Sequence, residues 1–203
     1  MGSSAALVLP LKAFGNAKGR LASALTPELR ERLSRECAER VVHAAGAIPV
    51  VVVTDSQNDV VDWATSHGLA CVAQVSTGLN GAVADGVAWV RANGFATAVI
   101  AHSDIPLATD VSRFVEPGTI VIVPDHAHDG TNLLSIPVSS DFTFHYGPGS
   151  FKKHVDEAMR RGHAPHIALS DEWARDLDNP DDLDDPRVKE VFPWLQTSRA
   201  NQP

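Results

Sequence analysis

Three groups of residues in this chain are equipped for chemistry on anions. The first is the loop Pro10 to Leu21, which carries Lys12, Lys18 and Arg20, two glycines (Gly15 and Gly19) and no acid. Glycines let backbone N–H groups approach an anion closely and spaced cations neutralise it, so the loop reads as a phosphate-binding turn. It matches neither GxxxxGK[ST] nor GxGxxG. The second group centres on Asp104 in Ala101-His102-Ser103-Asp104-Ile105-Pro106-Leu107. A carboxylate that ends an apolar run and is held by a proline turn is placed to ligate Mg²⁺ or to orient a substrate. Asp176 and Asp178 form the third. Two residues apart, they share one face if the segment is extended, which suits a divalent ion.

Other turns offer polar groups without charge. Gly78-Leu79-Asn80-Gly81 precedes a helical pattern, and its amides with the Asn80 side chain either hold a ligand's polar edge or make a plain turn and cap. Asp129-Gly130-Thr131-Asn132 enters a strand with a hydroxyl and an amide. Tyr146-Gly147-Pro148-Gly149-Ser150-Phe151 opens a helix, whose free amides and Ser150 hydroxyl make an anion site. One basic site and one helix-terminal site imply two phosphorylated ligands. The nine histidines show no HExxH and no His/Cys ligand spacing, and are read as structural or surface residues. Cys37 and Cys71 lie in apolar periodic segments and are read as buried small hydrophobes. No GxSxG is present.

These loops need a frame, and short β-branched runs alternating with helical patterns supply it. Leu7–Leu9, Val50–Thr54, Ala70–Val75, Ala98–Ala101 and Ile120–Val123 read as strands, buried on both faces as in a parallel sheet. A helix begins with Thr26 as N-cap and Pro27 at its first position, repeats Leu29, Leu33, Cys37 and Val41, and stops at Gly46. Further helices are expected over Asn58–His67, Leu79–Ala92 and Ser150–Arg161. The alternation predicts a three-layer α/β domain with a mostly parallel central sheet, where ligands bind beyond the carboxyl ends of the strands. A single domain is expected over residues 1–192, with a flexible polar tail over 193–203.

With 203 residues, 44% of them hydrophobic, the chain can bury a sizeable core without disulfides. Twenty-five acids against 17 Lys and Arg give a net charge of −8. That balance argues against nucleic-acid and anionic-membrane partners, both of which need a basic face. Neither a basic n-region nor a membrane-length apolar run occurs, so a cytoplasmic setting is expected. Exposed apolar positions at a sheet edge would permit a homodimer.

Taken in order, Pro10-Leu11-Lys12, Ala17-Lys18-Gly19-Arg20-Leu21, Gly78-Leu79-Asn80, Ser103-Asp104-Ile105-Pro106-Leu107, Gly130-Thr131-Asn132-Leu133-Leu134, Tyr146 to Phe151 and Asp176-Leu177-Asp178-Asn179-Pro180-Asp181-Asp182-Leu183 form a series. It resembles the 2-phospho-L-lactate guanylyltransferase family, which includes phosphoenolpyruvate guanylyltransferases. The resemblance implies a Rossmann-like nucleotidyltransferase fold and a step in making the deazaflavin coenzyme F-420. GTP and a small phosphorylated acid (2-phospho-L-lactate, phosphoenolpyruvate or 3-phosphoglycerate) would give a guanosine-diphospho acid and pyrophosphate, with Mg²⁺ as cofactor. It further implies that Lys12, Lys18 and Arg20 hold the GTP phosphates and that Gly78, Asn80 and Gly81 lie at the guanine. Asp104, Asp176 and Asp178 would bind Mg²⁺, while Thr131, Gly147 and Ser150 would hold the acceptor. Two departures stand out. Gly19 replaces a small hydroxyl residue common there, and His102-Ser103 precede Asp104 where smaller or apolar residues are frequent. Two rival readings are a related nucleotidyltransferase acting on another nucleotide or a sugar phosphate, and a non-catalytic nucleotide-binding module.

Overall fold

The computed structural model of the protein describes residues 4–16, 18–55 and 59–199. Its strands are β1 (Ala5–Pro10), β2 (Val50–Thr54), β3 (Ala70–Ala73), β4 (Thr97–Ala101), β5 (Val121–Pro124), β6 (Thr131–Pro137) and β7 (His166–Ile167). Helices α1 (Pro27–Ala45), α2 (Asp59–Ser66), α3 (Gly78–Ala92), α4 (Ser150–Arg160), α5 (Pro186–Val191) and α6 (Trp194–Arg199) complete the frame. One sheet runs in the order β3-β2-β1-β4-β6-β5-β7, parallel except where β6 pairs with β4 and β5. Strand order reverses at β1, so the switch point lies between the carboxyl ends of β1 and β4. The loop carrying Lys12, Lys18 and Arg20 leaves β1 there, and Asp104 follows β4.

Local chemistry explains the elements. β2 is four valines and a threonine, all buried, because helices cover both sheet faces. Ala38, Val41, Val60 and Trp63 pack on Leu7, Leu9 and Val52 on one face. On the other, Val83, Val87 and Val90 meet Val8, Val51 and Val53. Thr26 caps α1, its Oγ1 accepting from Leu29 N at 3.4 Å, with Pro27 first in the helix and Gly46 closing it at φ 57°. At Gly86 α3 lies so close to the sheet that a Cβ would collide with Val8 Cγ1 and come within 3.0 Å of Val53 Cγ2.

A third cluster joins distant parts of the chain. Leu21 and Leu25, from the β1–α1 loop, pack with Leu33 and Cys37 of α1 and with Leu177, Leu183, Val188 and Leu195. That packing carries the aspartate-bearing segment 176–178 across to the end of β1.

Three expectations are corrected. The third strand ends at Ala73, and Val75 is exposed. Asp85 stops it: one carboxylate oxygen accepts from Val75 N and Ser76 N at 2.7 and 2.8 Å, the other from Ser76 Oγ at 2.8 Å, drawing the chain into a turn. The tail expected from residue 193 is ordered as α6 up to Arg199, since Leu195 is buried in the third cluster. The fourth helix begins at Ser150 as expected and ends at Arg160. Residues 200–203, Asn58 and Ala17 lie outside the described residues.

Candidate active site

Asp104 reaches the site on the β4 loop, and Asp176 and Asp178 reach it on a segment fastened by backbone and side-chain bonds. Leu177 N donates to Asp104 O at 3.1 Å. Just before it, Asn132 Nδ2 donates to Trp173 O at 3.0 Å, and Trp173 Nε1 donates to Thr109 O at 2.9 Å. Leu177 is buried while its two acidic neighbours are half-buried, which is the alternation expected of an extended stretch.

Lys18 closes this arrangement from the third side. Its Nζ donates to Leu177 O at 2.8 Å and stands 3.8 Å from Asp104 Oδ2, with the side chain only 5% exposed. Lys18 itself has φ 57°, a left-handed conformation unusual for a non-glycine residue. The ammonium thus braces the β4 loop against segment 176–178, beside the carboxylate at the end of β4. Arg20 pairs with Asp178 Oδ2 at 3.1 Å, both side chains largely open to water. Lys12 is exposed at the mouth.

The carboxylates lack full compensation. Asp104 Oδ1 is buried and accepts no hydrogen bond among the described residues. Burial, and then the charges of Asp104 and Asp178, push the Asp176 carboxyl up to about 6. Among the described residues no three His, Cys, Asp or Glu side chains form a ready metal cage. Mg²⁺ seldom uses one: it takes one or two carboxylates and completes its shell with phosphates and water. Asp104 and Asp176 fit that pattern, because a divalent cation would relieve both the bare oxygen and the mutual repulsion.

The far wall is the chain from Asp141 to Gly149, which has no strand partner for its N–H groups. Side chains satisfy them instead. Thr143 N donates to Glu157 Oε1 at 3.1 Å, His145 N to His154 Nε2 at 3.0 Å, and Tyr146 N to Asn80 Oδ1 at 2.7 Å. Since His154 Nε2 accepts, its proton sits on Nδ1 and donates to Thr131 Oγ1 at 3.0 Å. Burial, with the nearby His145 and His102, lowers His154 to about 4. Burial alone would raise Glu157, but hydrogen bonds from Arg161 and Arg160 outweigh it and hold the carboxyl near 2.

The other expected site residues border this wall. Both ends of the Asn80 amide pair with the Tyr146 backbone, Nδ2 donating to Tyr146 O at 3.2 Å. Thr131 is buried, its Oγ1 accepting from His154 Nδ1. Ser150 is buried too, and Asp129 covers the start of α4, accepting from Gly149 N at 3.0 Å through Oδ2 and from Phe151 N at 2.9 Å through its carbonyl. The Asp129 carboxylate therefore meets the N-cap amide of α4, while its carbonyl meets the amide of Phe151. Gly147, at φ 121°, remains open beside Tyr146. Gly78 opens α3 at φ 73°, while Gly81 is glycine because a Cβ would lie 2.7 Å from the Ser76 backbone. Neither glycine contributes a side chain to the site.

Sequence reasoning passed over His154 and gave His102 no role. The signal for His154 was present: Ser150, His154, Glu157 and Ala158 make a helical stripe that is buried, although three of the four are polar.

Comparison with known proteins places the chain in a family. The family model described as "Guanylyl transferase CofC like" matches residues 5–188. A phosphoenolpyruvate guanylyltransferase of Roseiflexus castenholzii is 36% identical over 181 residues, covering 87% of this chain and 84% of that protein. A 2-phospho-L-lactate guanylyltransferase of Methanothermobacter thermautotrophicus is 31% identical, covering 87% and 81%. Among solved structures, a nucleotidyl transferase from the same archaeon superposes with a TM-score of 0.60 at 17% identity, covering 95% of this chain and 98% of that one. The last likeness concerns the fold alone. On the family match and these identities, the chain belongs to the CofC-like guanylyl transferases.

Proposed function

We propose that the protein transfers GMP from GTP to the phosphate of a small phosphorylated carboxylic acid, phosphoenolpyruvate or 2-phospho-L-lactate, in the making of coenzyme F-420. The observation that carries this reading is the meeting of Asp104 and Asp176 at the switch point, facing a loop with exposed Lys12 and Arg20. An acceptor phosphate oxygen attacks the α-phosphorus of GTP. A new phosphorus–oxygen bond forms, the bond to the β-phosphate bridging oxygen breaks, and pyrophosphate leaves with that electron pair. The acceptor's second pKa is about 6, so it is anionic near neutrality and needs no general base. That agrees with a His154 whose ring is buried and neutral.

Bound Mg²⁺ would supply charge neutralisation between the two anions and on the leaving pyrophosphate. Asp104 and Asp176 would hold it. Arg20 and Asp178 form an exposed pair, worth about 0–1 kcal/mol, so little opposes Arg20 turning to the triphosphate and Asp178 to the ion. Lys12 meets the triphosphate at the mouth, and Lys18 keeps the two acidic segments at a fixed separation.

The test is pyrophosphate release measured with GTP, Mg²⁺ and each acceptor in turn, against ATP, CTP and UTP as competitors for the donor site. Release with GTP and at least one of the two acids is expected. Release that requires another nucleotide, or a sugar phosphate as acceptor, would contradict the reading.

A further inference from the structure

His154 is wholly buried on α4, yet its ring does more than fill space. A leucine there would bury apolar surface without the cost of taking a polar group out of water. An imidazole differs in holding an acceptor and a donor at a fixed separation on one rigid ring. Both are used: Nε2 accepts from His145 N and Nδ1 donates to Thr131 Oγ1, each at 3.0 Å. The ring also meets the Tyr146 ring edge-on, with centroids 4.8 Å apart.

These contacts converge on one side of the site. Thr131 opens β6, and Gly149 N and Phe151 N both donate to Asp129, two residues before it. Turn 146–150 is thereby seated at the head of β6, across β4 from the loop that carries Lys12 and Arg20. Ser150 lies one helical turn before His154, and Gly147 lies two residues after His145. Thr131, Gly147 and Ser150, the three residues expected at the acceptor, are therefore linked through one imidazole. The chain around His145 has no strand to hold it, so its place depends on this bond and on those from Thr143 N to Glu157 and Tyr146 N to Asn80. Tyr146 in turn lines a hollow at the end of β4 with Leu79 and Asp104. A shift of this chain thus changes the shape of the site next to the carboxylate assigned to the metal.

We propose that His154 is a positioning residue for the acceptor: by holding His145 N and Thr131 Oγ1 together, it fixes turn 146–150 against β6 in the form that receives the phosphorylated acid. It touches no substrate itself. The proposal rests on the guanylyltransferase reading above and adds a core residue that sets acceptor affinity.

Three substitutions separate the two bonds. In His154→Gln the amide oxygen stands three bonds from Cβ, as Nε2 does, and can accept from His145 N. In His154→Asn the amide nitrogen stands two bonds from Cβ, as Nδ1 does, and can donate to Thr131 but not reach His145. His154→Leu makes neither bond. Pyrophosphate release gives kcat, the KM for phosphoenolpyruvate or 2-phospho-L-lactate and the KM for GTP, with urea midpoints measured alongside. The acceptor KM should rise roughly 10-fold or more in His154→Leu and His154→Asn, and return to within about threefold of wild type in His154→Gln. The GTP KM should stay unchanged in all three. Ala158→Gly weakens α4 but leaves both bonds in place, so it should lower the urea midpoint without moving the acceptor KM. An acceptor KM that simply follows the urea midpoint across the four variants overturns the proposal alone. So do equal rises for acceptor and GTP, or an unchanged acceptor KM in His154→Asn. Failure of both amide variants to fold also overturns it, since the ring is then a core residue only. A wild type that releases no pyrophosphate with either acid overturns the guanylyltransferase reading and this proposal with it.

Discussion

Asp176 shows how a site residue can oppose the stability of the fold that holds it. Its carboxyl is pushed up to about 6, first by burial and then by Asp104 and Asp178. A raised carboxylate favours the folded state only while it is protonated there, so its contribution is present below about pH 4 and lost as pH rises through 6. At neutral pH the metal-free protein carries the cost. Asp176→Asn should therefore unfold at a higher urea concentration than wild type at pH 7.5 without Mg²⁺, by about 1–2 kcal/mol, while losing activity. Urea denaturation with and without Mg²⁺ checks this, and a variant less stable than wild type in the absence of metal would contradict it. The acidic character of 176–178 was legible from residue types alone. Lys18 was not. Its bracing contact depends on the third apolar cluster, which brings residue 177 to the β1 loop from 159 positions away.

Among the elements, α3 and α4 set the site by contacts that a propensity reading does not contain. Gly86 lets α3 lie against Val8 and Val53, and this same helix carries Asn80 to the Tyr146 backbone. Gly86→Ala should cost about 1–3 kcal/mol in chemical denaturation, the usual cost of forcing a methyl into a filled core. Wild-type stability in that variant would show that the helix can move away freely. On α4, His154 must be neutral for Nε2 to accept from His145 N. Its depressed value means that the unfolded chain binds the extra proton first, so stability is lost as pH falls from about 6.5 towards 4, by at most about 3 kcal/mol. Asp176 acts in the opposite direction between pH 4 and 6, so urea midpoints are best compared in the Asp176→Asn background at pH 7 and 4.5. An unchanged midpoint there would remove the neutral-imidazole assignment. Helix starts such as Thr26-Pro27 and the valine run of β2 were readable because their causes are local. The Asp85 turn that ends β3, and the Asp129 cap on α4, were not, because each depends on an acid 9 to 20 residues distant finding one particular set of amides.

Across the whole molecule, the net charge of −8 is unevenly distributed. Residues 1–27 hold Lys12, Lys18 and Arg20 with no acid, whereas eight acids and Arg175 fall within residues 171–186. The fold sets these two ends against each other at the β1–β4 switch point, where a parallel sheet opens for a ligand. Much of the acidic run serves the fold: Asp182 accepts from Asp178 N and Asn179 N, and Asp185 pairs with Arg175 and Arg187. The α/β class and the order of the motifs could be read from the chain. The antiparallel β6, and the hollow between β4 and Tyr146, required the folded arrangement. Transfer of GMP to a phosphorylated acid, driven by the carboxylate at the end of β4, is tested most directly by Mg²⁺-dependent pyrophosphate release from GTP and phosphoenolpyruvate or 2-phospho-L-lactate, in wild type and in Asp104→Asn. Release from wild type is expected, with a fall of at least about 100-fold in Asp104→Asn and GTP binding retained. Equal rates in the two proteins, or no release from either, would contradict it.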